Sequence, residues 1–295
     1  MPTREHHPRS WSSRLGLRAA GVLAALIAVT IVVVLNAFAQ SGRSSGVGVA
    51  AQTTHTLGRA STQVGASGGI SRSVKVVGIG DSVTSGTACN CETFVGLYAT
   101  DLASQRGLTT TSVNLGVAGS TSAQLLASLT QPGGFRDQVA TADILLVTIG
   151  ANDLASLEGQ QSGGCPTTCY GPLVNTVGHN VGLIVAAVRA AHPSHPPTIL
   201  VTDYWNVFQD GDVGTAENGE SFQSWSDVLT RAEGTAVCTA SRRAGATCVS
   251  LYAPFKGNGS KNPTTLLAAD GDHPNSTGHQ VIASTLLAST PLPIP

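Results

Sequence analysis

Four short blocks of this chain carry residue types that could do chemistry together. The first is Gly80-Asp81-Ser82, followed by Gly86. A serine hydroxyl is a weak nucleophile and needs a base within hydrogen-bonding reach. His273, in Asp270-Gly271-Asp272-His273-Pro274, is a candidate base. A carboxylate is then needed to fix its tautomer and to stabilise its protonated form. Asp272 is its direct neighbour, but the spacing favours Asp270, three residues before it. An attack on a carbonyl carbon also needs donors aimed at the developing oxyanion. The N–H of Ser82, the N–H of Gly119 and the side-chain amide of Asn152 would supply three, with Gly116 as the fallback for Gly119. Taken singly, each block is weak. Gly-Asp-Ser is a good turn in a chain with 34 glycines, and asparagine is a turn former. Asp81 and Asp153 are expected to be structural, bonding backbone in their loops.

The elements that would position these residues are legible from periodicity. Val76, Val77 and Ile79 form an apolar run bounded by turn residues, which predicts a buried strand ending at Ser82. Phe94, Leu97, Tyr98 and Leu102 have helical spacing within 92–105. A second strand is expected over 111–115, then a helix over 122–129. The run 143–149 (DILLVTI) is the clearest buried strand and leads into Gly150-Ala151-Asn152-Asp153. A loop with Cys165 and Cys169 precedes a long helix from about Pro172 to Ala191, closed by prolines. A fourth strand is expected over 198–202, a helix over 222–244, a fifth strand over 247–251 and a closing helix over 277–288. Strands alternating with helices predict one parallel sheet covered on both faces. Chemistry in such sheets gathers at the carboxyl ends of the strands. Tyr204, Trp205 and Phe208 follow the fourth strand, where they either line a pocket or pack. His192 and His195 lie among prolines and default to the surface, and the other histidines have no partner at useful spacing.

Of 295 residues, 41% are hydrophobic and 11% charged, with a formal net charge of −1. That composition supports a sizeable core. No basic run occurs outside the N-terminus, so nucleic-acid binding has no electrostatic support. Arg4, Arg9, Arg14 and Arg18 precede an almost wholly apolar stretch over 19–39 that ends in Ala37-Phe38-Ala39. This pattern predicts a secretory signal, with cleavage after Ala39 favoured and an uncleaved membrane anchor over 19–39 as the alternative. Residues 40–72 read as a flexible linker with a coil reach of about 30 Å, and 73–295 as one domain. Outside the cytoplasm, six cysteines read as a disulfide set. Their spacing is not that of a zinc site, and no histidine sits at ligand spacing beside them. Cys238 and Cys248 are expected to join. The other four could pair locally or across two loops, since six cysteines allow 15 connectivities. No metal or cofactor is called for.

Together the blocks resemble the SGNH (GDSL-type) hydrolase superfamily: GIGDSVTSG with Ser82, NLGVAGST with Gly119, GAND with Asn152, and DGDHPNSTGH with Asp270 and His273. The first block has Asp-Ser-Val where the family nickname has Asp-Ser-Leu, which leaves the serine untouched. The loops with Cys89/Cys91 and Cys165 fall outside the shared motifs. The resemblance covers about Val74 to Leu287. It implies a three-layer α/β/α sandwich of flavodoxin-like type with about five parallel strands; the chain itself is expected to be a monomer. It also implies serine-dependent hydrolysis of carboxylic esters, small or lipid, with lipid esters slightly favoured. Hydrolysis of acetyl groups from a glycan, acyl transfer to a glycan, or simple binding are the alternatives.

Overall fold

The computed structural model describes residues 73–158 and 164–294. The expected leader (1–39) and linker (40–72) lie outside the described residues. Five strands form one all-parallel sheet in the order β2-β1-β3-β4-β5: β1 (Ser73–Gly80), β2 (Thr109–Gly116), β3 (Ile144–Thr148), β4 (Thr198–Thr202) and β5 (Thr247–Val249). This is the flavodoxin-like order, and its direction reverses between β1 and β3. The helices, in chain order, are α1 (Ser82–Ser85), α2 (Phe94–Arg106), α3 (Ser122–Thr130), α4 (Gly134–Val139), α5 (Thr167–Ala190), α6 (Gly211–Arg243), α7 (Tyr252–Lys256) and α8 (Ser276–Ala288). Two 3-10 turns, Ala151–Leu157 and Thr264–Leu266, complete the connections.

Strand alternation sorts the core into two layers. Val76, Ile144, Leu146 and Leu200 face one side, packed with Phe94, Tyr98 and Leu102 of α2 and Ile282 and Leu286 of α8. Val77, Ile79, Leu145, Val147 and Val201 face the other, against Leu125 and Leu129 of α3 and Val177, Val181 and Val185 of α5. With both faces covered, β3 is buried at every position, as a central parallel strand must be. Burying each such Phe, Leu or Ile side chain contributes about 1.5–3 kcal/mol.

Several elements depart from the sequence reading. Helix α5 begins at Thr167 rather than at Pro172, so Cys169 lies inside it. Pro172 costs one hydrogen bond near the start of that helix, a loss the remaining turns outweigh. Helix α6 is broken at Gly219, whose φ of 79° and ψ of 160° are not helical. The segment before that break was not expected. His192 is buried rather than exposed, its Nδ1 2.8 Å from the Val188 carbonyl at the end of α5. His279 does find a partner, at long range: its Nδ1 accepts from the Phe94 N–H at 3.2 Å.

The cysteines pair locally: Cys89–Cys91, Cys165–Cys169 and Cys238–Cys248, with Cα separations of 5.2, 5.9 and 5.1 Å. The third joins the end of α6 to β5.

Candidate active site

The exit of β1 is shaped by how closely it approaches β3. Gly80 has a φ of 141°, and a Cβ there would overlap the Thr148 carbonyl. Only glycine fits that position. The Asp81 N–H then donates to that carbonyl at 3.1 Å. The Asp81 side chain caps α1. Its Oδ1 accepts from the Val83 N–H at 3.1 Å and from Thr148 Oγ1 at 2.8 Å, while Oδ2 accepts from the Tyr204 hydroxyl. Ser82 is therefore the first residue of α1, held on a turn whose acid is fully buried. Burial pushes the Asp81 carboxyl up to about 6 against the pull of these hydrogen bonds. Burial, reinforced by the charge of Asp81, holds the Tyr204 hydroxyl well above its usual range. Asp81 is structural, as expected.

Asn152 sits at the start of the 3-10 turn after β3. Its Nδ2 donates to the Ser120 carbonyl at 3.0 Å, which ties it to the loop after β2. Asp153 secures the same junction by accepting from the Ser122 N–H at 2.8 Å and from Ser122 Oγ at 2.5 Å. Gly119 lies in that loop with a φ of 77° and open space where a Cβ would stand. Gly116, the fallback, is pressed against the backbone of Thr84 and Ser85 instead. Its role is packing. The loop is anchored to α1 by Asn114, whose Nδ2 donates to the Thr84 carbonyl at 2.6 Å.

Asp270 and His273 share a tight turn before α8. The His273 Nδ1 lies 2.8 Å from Asp270 Oδ2, whereas Asp272 Oδ2 is 3.8 Å away. Asp270 Oδ1 accepts from the N–H groups of Asp272 and His273, both at 3.1 Å. Burial works to raise the Asp270 carboxyl, but the His273 ring and these two amides outweigh it and hold it below its usual value. An ionised Asp270 keeps a proton on Nδ1 and leaves Nε2 as the acceptor. The turn rests on the start of α6. There the Asp210 N–H donates to the Gly271 carbonyl at 2.7 Å, and Gln209 Nε2 donates to the Asp270 carbonyl at 3.1 Å.

Ser82, Asn152 and His273 line one cavity of about 80 Å³, walled by Trp205, Val207 and Phe208. The structure thus brings together three of the predicted site residues directly, and Asp270 through His273. Gly119 does not line that cavity; its loop reaches it through Asn152. Tyr204, Trp205 and Phe208 do both things the sequence left open, being buried and lining the cavity. Cys89, Cys91 and His279 also converge, with ligand atoms within 4.8 Å of one another. The two sulfurs are bonded to each other, so they are not free to hold a metal.

Residues 79–281 match the sequence profile of the GDSL-like lipase/acylhydrolase family. The chain belongs to that family. This GDSL-like chain is accordingly a carboxylic ester hydrolase. Among solved structures it is similar to the lipase Lip_vut3 from a goat rumen metagenome, with 19% identity and a TM-score of 0.59, over 73% of this chain and 97% of that one. It is also similar to Axe2, an acetylxylan esterase from Geobacillus stearothermophilus, with 17% identity and a TM-score of 0.51, over 73% and 93%. A lipase/acylhydrolase from Enterococcus faecalis gives 17% identity and a TM-score of 0.51, over 73% and 94%. These likenesses establish the fold. No protein of curated function matches the GDSL-like chain in sequence.

Thr148, Tyr204, Asn114 and Gln209 were not singled out in the sequence as supports of this site. Thr148 offered one signal, as the last residue of the strongest strand before the Gly150 turn. The others act through contacts that no local spacing encodes.

Proposed function

We propose that Ser82 is the nucleophile of this ester hydrolase, His273 its base and Asp270 the carboxylate that orients His273. The observation that carries the reading is the 2.8 Å bond between His273 Nδ1 and Asp270 Oδ2, in a turn whose histidine lines the same cavity as Ser82. In this reading His273 Nε2 takes the Ser82 proton as Oγ attacks the ester carbonyl, then passes it to the leaving alcohol. Water activated by the same nitrogen releases the acid. Asn152 Nδ2 has a second hydrogen beyond the one it gives Ser120, and with the N–H of Ser82 and of Gly119 it would stabilise the oxyanion.

The cavity favours short acyl groups. At about 80 Å³ it has room for on the order of five or six water-sized groups, which suits acetyl better than a fatty chain. Acetyl esters, among them the acetylated glycan of the alternative reading, are thus favoured over the long-chain lipid esters that the resemblance slightly preferred; the cavity does not choose the alcohol side. We also infer that 1–39 exports the chain, on the strength of its basic leader, apolar core and Ala37-Phe38-Ala39.

The test is release of p-nitrophenol from acetyl and longer acyl esters by the full chain and by Ser82→Ala. Turnover lost in the variant, with acetyl preferred, supports the reading. Equal turnover in the variant would remove Ser82 from the mechanism.

A further inference from the structure

One buried cation is left over from the mechanism. Lys256 ends α7, does not line the cavity, and is 7% exposed. A lysine is almost never buried to this degree unless it is paired. Its Nζ lies 2.6 Å from Asp210 Oδ2 and 3.5 Å from Asp227 Oδ1. Asp227 has other partners, the Tyr252 hydroxyl at 2.6 Å and Arg231 Nε at 2.9 Å. Asp210 is itself buried and forms no second ion pair among the described residues. Its other oxygen, Oδ1, accepts from the Gly211 N–H at 2.7 Å. Lys256 is thus the one cation that holds the Asp210 carboxylate in place.

The place of Asp210 carries this pair to the catalytic turn. Asp210 caps the start of α6, and its own N–H donates to the Gly271 carbonyl at 2.7 Å, in the middle of the Asp270–His273 turn. Gln209, its neighbour, holds the Asp270 carbonyl. The turn is packed closely on this segment, since a Cβ on Gly271 would strike Val213 of α6. A chain of contacts therefore runs from Lys256 Nζ through Asp210 to Gly271, and so to the His273 ring that Asp270 orients. Stability alone does not account for the pair, because apolar residues of similar volume often match a buried ion pair. What the pair supplies is a fixed direction for Asp210. With the cation gone, an uncompensated buried charge would turn toward water, and the N–H beside it would move away from Gly271.

We propose that Lys256 is a positioning residue for the catalytic base, acting through Asp210 on the turn that carries Asp270 and His273. This rests on the reading of Ser82, His273 and Asp270 as the triad. The full chain would be assayed on p-nitrophenyl acetate as the parent, Lys256→Met, Lys256→Arg and Val188→Ala, each where its urea curve shows it folded. Val188, a buried residue of α5 on the opposite face of the sheet, is a control for lost stability alone. Lys256→Met should lose about 10- to 100-fold in kcat with KM within about twofold, the scale of a catalytic group displaced by about 1 Å. Lys256→Arg keeps the cation and should return kcat to within about threefold of the parent. Val188→Ala should unfold in less urea yet keep the parent's kcat. Asp210→Asn keeps the cap and the N–H but drops the charge, and it decides if Lys256→Met does not fold. It should lower kcat by about 3- to 10-fold at constant KM. Parent-level kcat in folded Lys256→Met, or in Asp210→Asn where that is the variant that folds, overturns the proposal and leaves the triad intact. So does a loss that Val188→Ala shares, or one as deep in Lys256→Arg as in Lys256→Met. No turnover in the parent, or turnover that survives Ser82→Ala, removes the triad reading and this proposal with it.

Discussion

Glu233 offers a direct test of how this site is held together. It lies on α6, is fully buried, and neither carboxyl oxygen has a hydrogen-bond partner among the described residues. A Cβ on Gly150, at the turn that leads to Asn152, would collide with its Oε1. Burial raises this carboxyl well above its usual range, and the nearby charges of Asp203, Asp81 and Asp153 add to the effect. The folded protein therefore keeps a proton that the unfolded chain releases near 4.5. The sign follows from that difference. Stability associated with Glu233 is complete below the unfolded value and declines as pH rises toward the folded one, at about 1.4 kcal/mol per pH unit. Glu233→Gln keeps the shape and removes the titration. Its stability relative to the parent should rise as the pH climbs above about 5, with a slope of at most about 1.4 kcal/mol per pH unit. Asp81 and Asp203 are raised as well, and because their charges act on Glu233 the comparison reads the change of the coupled group. Urea unfolding at three pH values across that window reads the difference directly. A gap that stays constant with pH would mean that Glu233 ionises normally in the folded chain and would refute the reasoning.

Other changes separate support from chemistry. Asp270→Asn should lower kcat by roughly 10²- to 10⁴-fold with little change in KM. Asp272→Asn should cost p-nitrophenyl acetate turnover less than about tenfold, because only Asp270 bonds the His273 ring; steady-state kinetics on the two variants decides. Tyr204→Phe removes the hydroxyl that donates to Asp81 and should cost about 1–3 kcal/mol in urea unfolding. Gly80→Ala should destabilise by about 3 kcal/mol or more. Its Cβ would overlap the Thr148 carbonyl at a φ of 141°, and an intact midpoint would contradict that geometry. Octanoyl ester turnover should fall at least about tenfold below acetyl in the p-nitrophenyl series, as the small cavity requires.

What the sequence made legible follows a physical rule. Ser82, Asn152 and the Asp270–His273 turn stand where a strand ends or a helix begins, and those places announce themselves through apolar runs closed by glycine or aspartate. The central strands β1, β3 and β4 were readable for the same reason, because two buried faces leave a continuous apolar run, whereas the edge strands β2 and β5 are mostly unburied and show it only weakly. The start of α5 was misplaced because Pro172 looks like a first-turn residue, although the helix already begins at Thr167. The break at Gly219 joins a short polar segment to a helix whose apolar spacing starts only at Phe222.

Side chains that meet across long stretches of sequence left no such trace. Glu233 belongs to a stretch of α6 in which acids and arginines alternate with small residues, a pattern that reads as a solvated face. Only the closure of α6 against the turn after β3 turns it into a buried acid. Gln209 and Asp210 likewise look like an ordinary loop, yet their N–H groups hold the carbonyls of Asp270 and Gly271. The turn that carries the base is thus held by a segment whose own acid, Asp210, is engaged with Lys256. Motifs locate the groups that could react, while the distances between them depend on contacts that form only when the sheet edge is assembled.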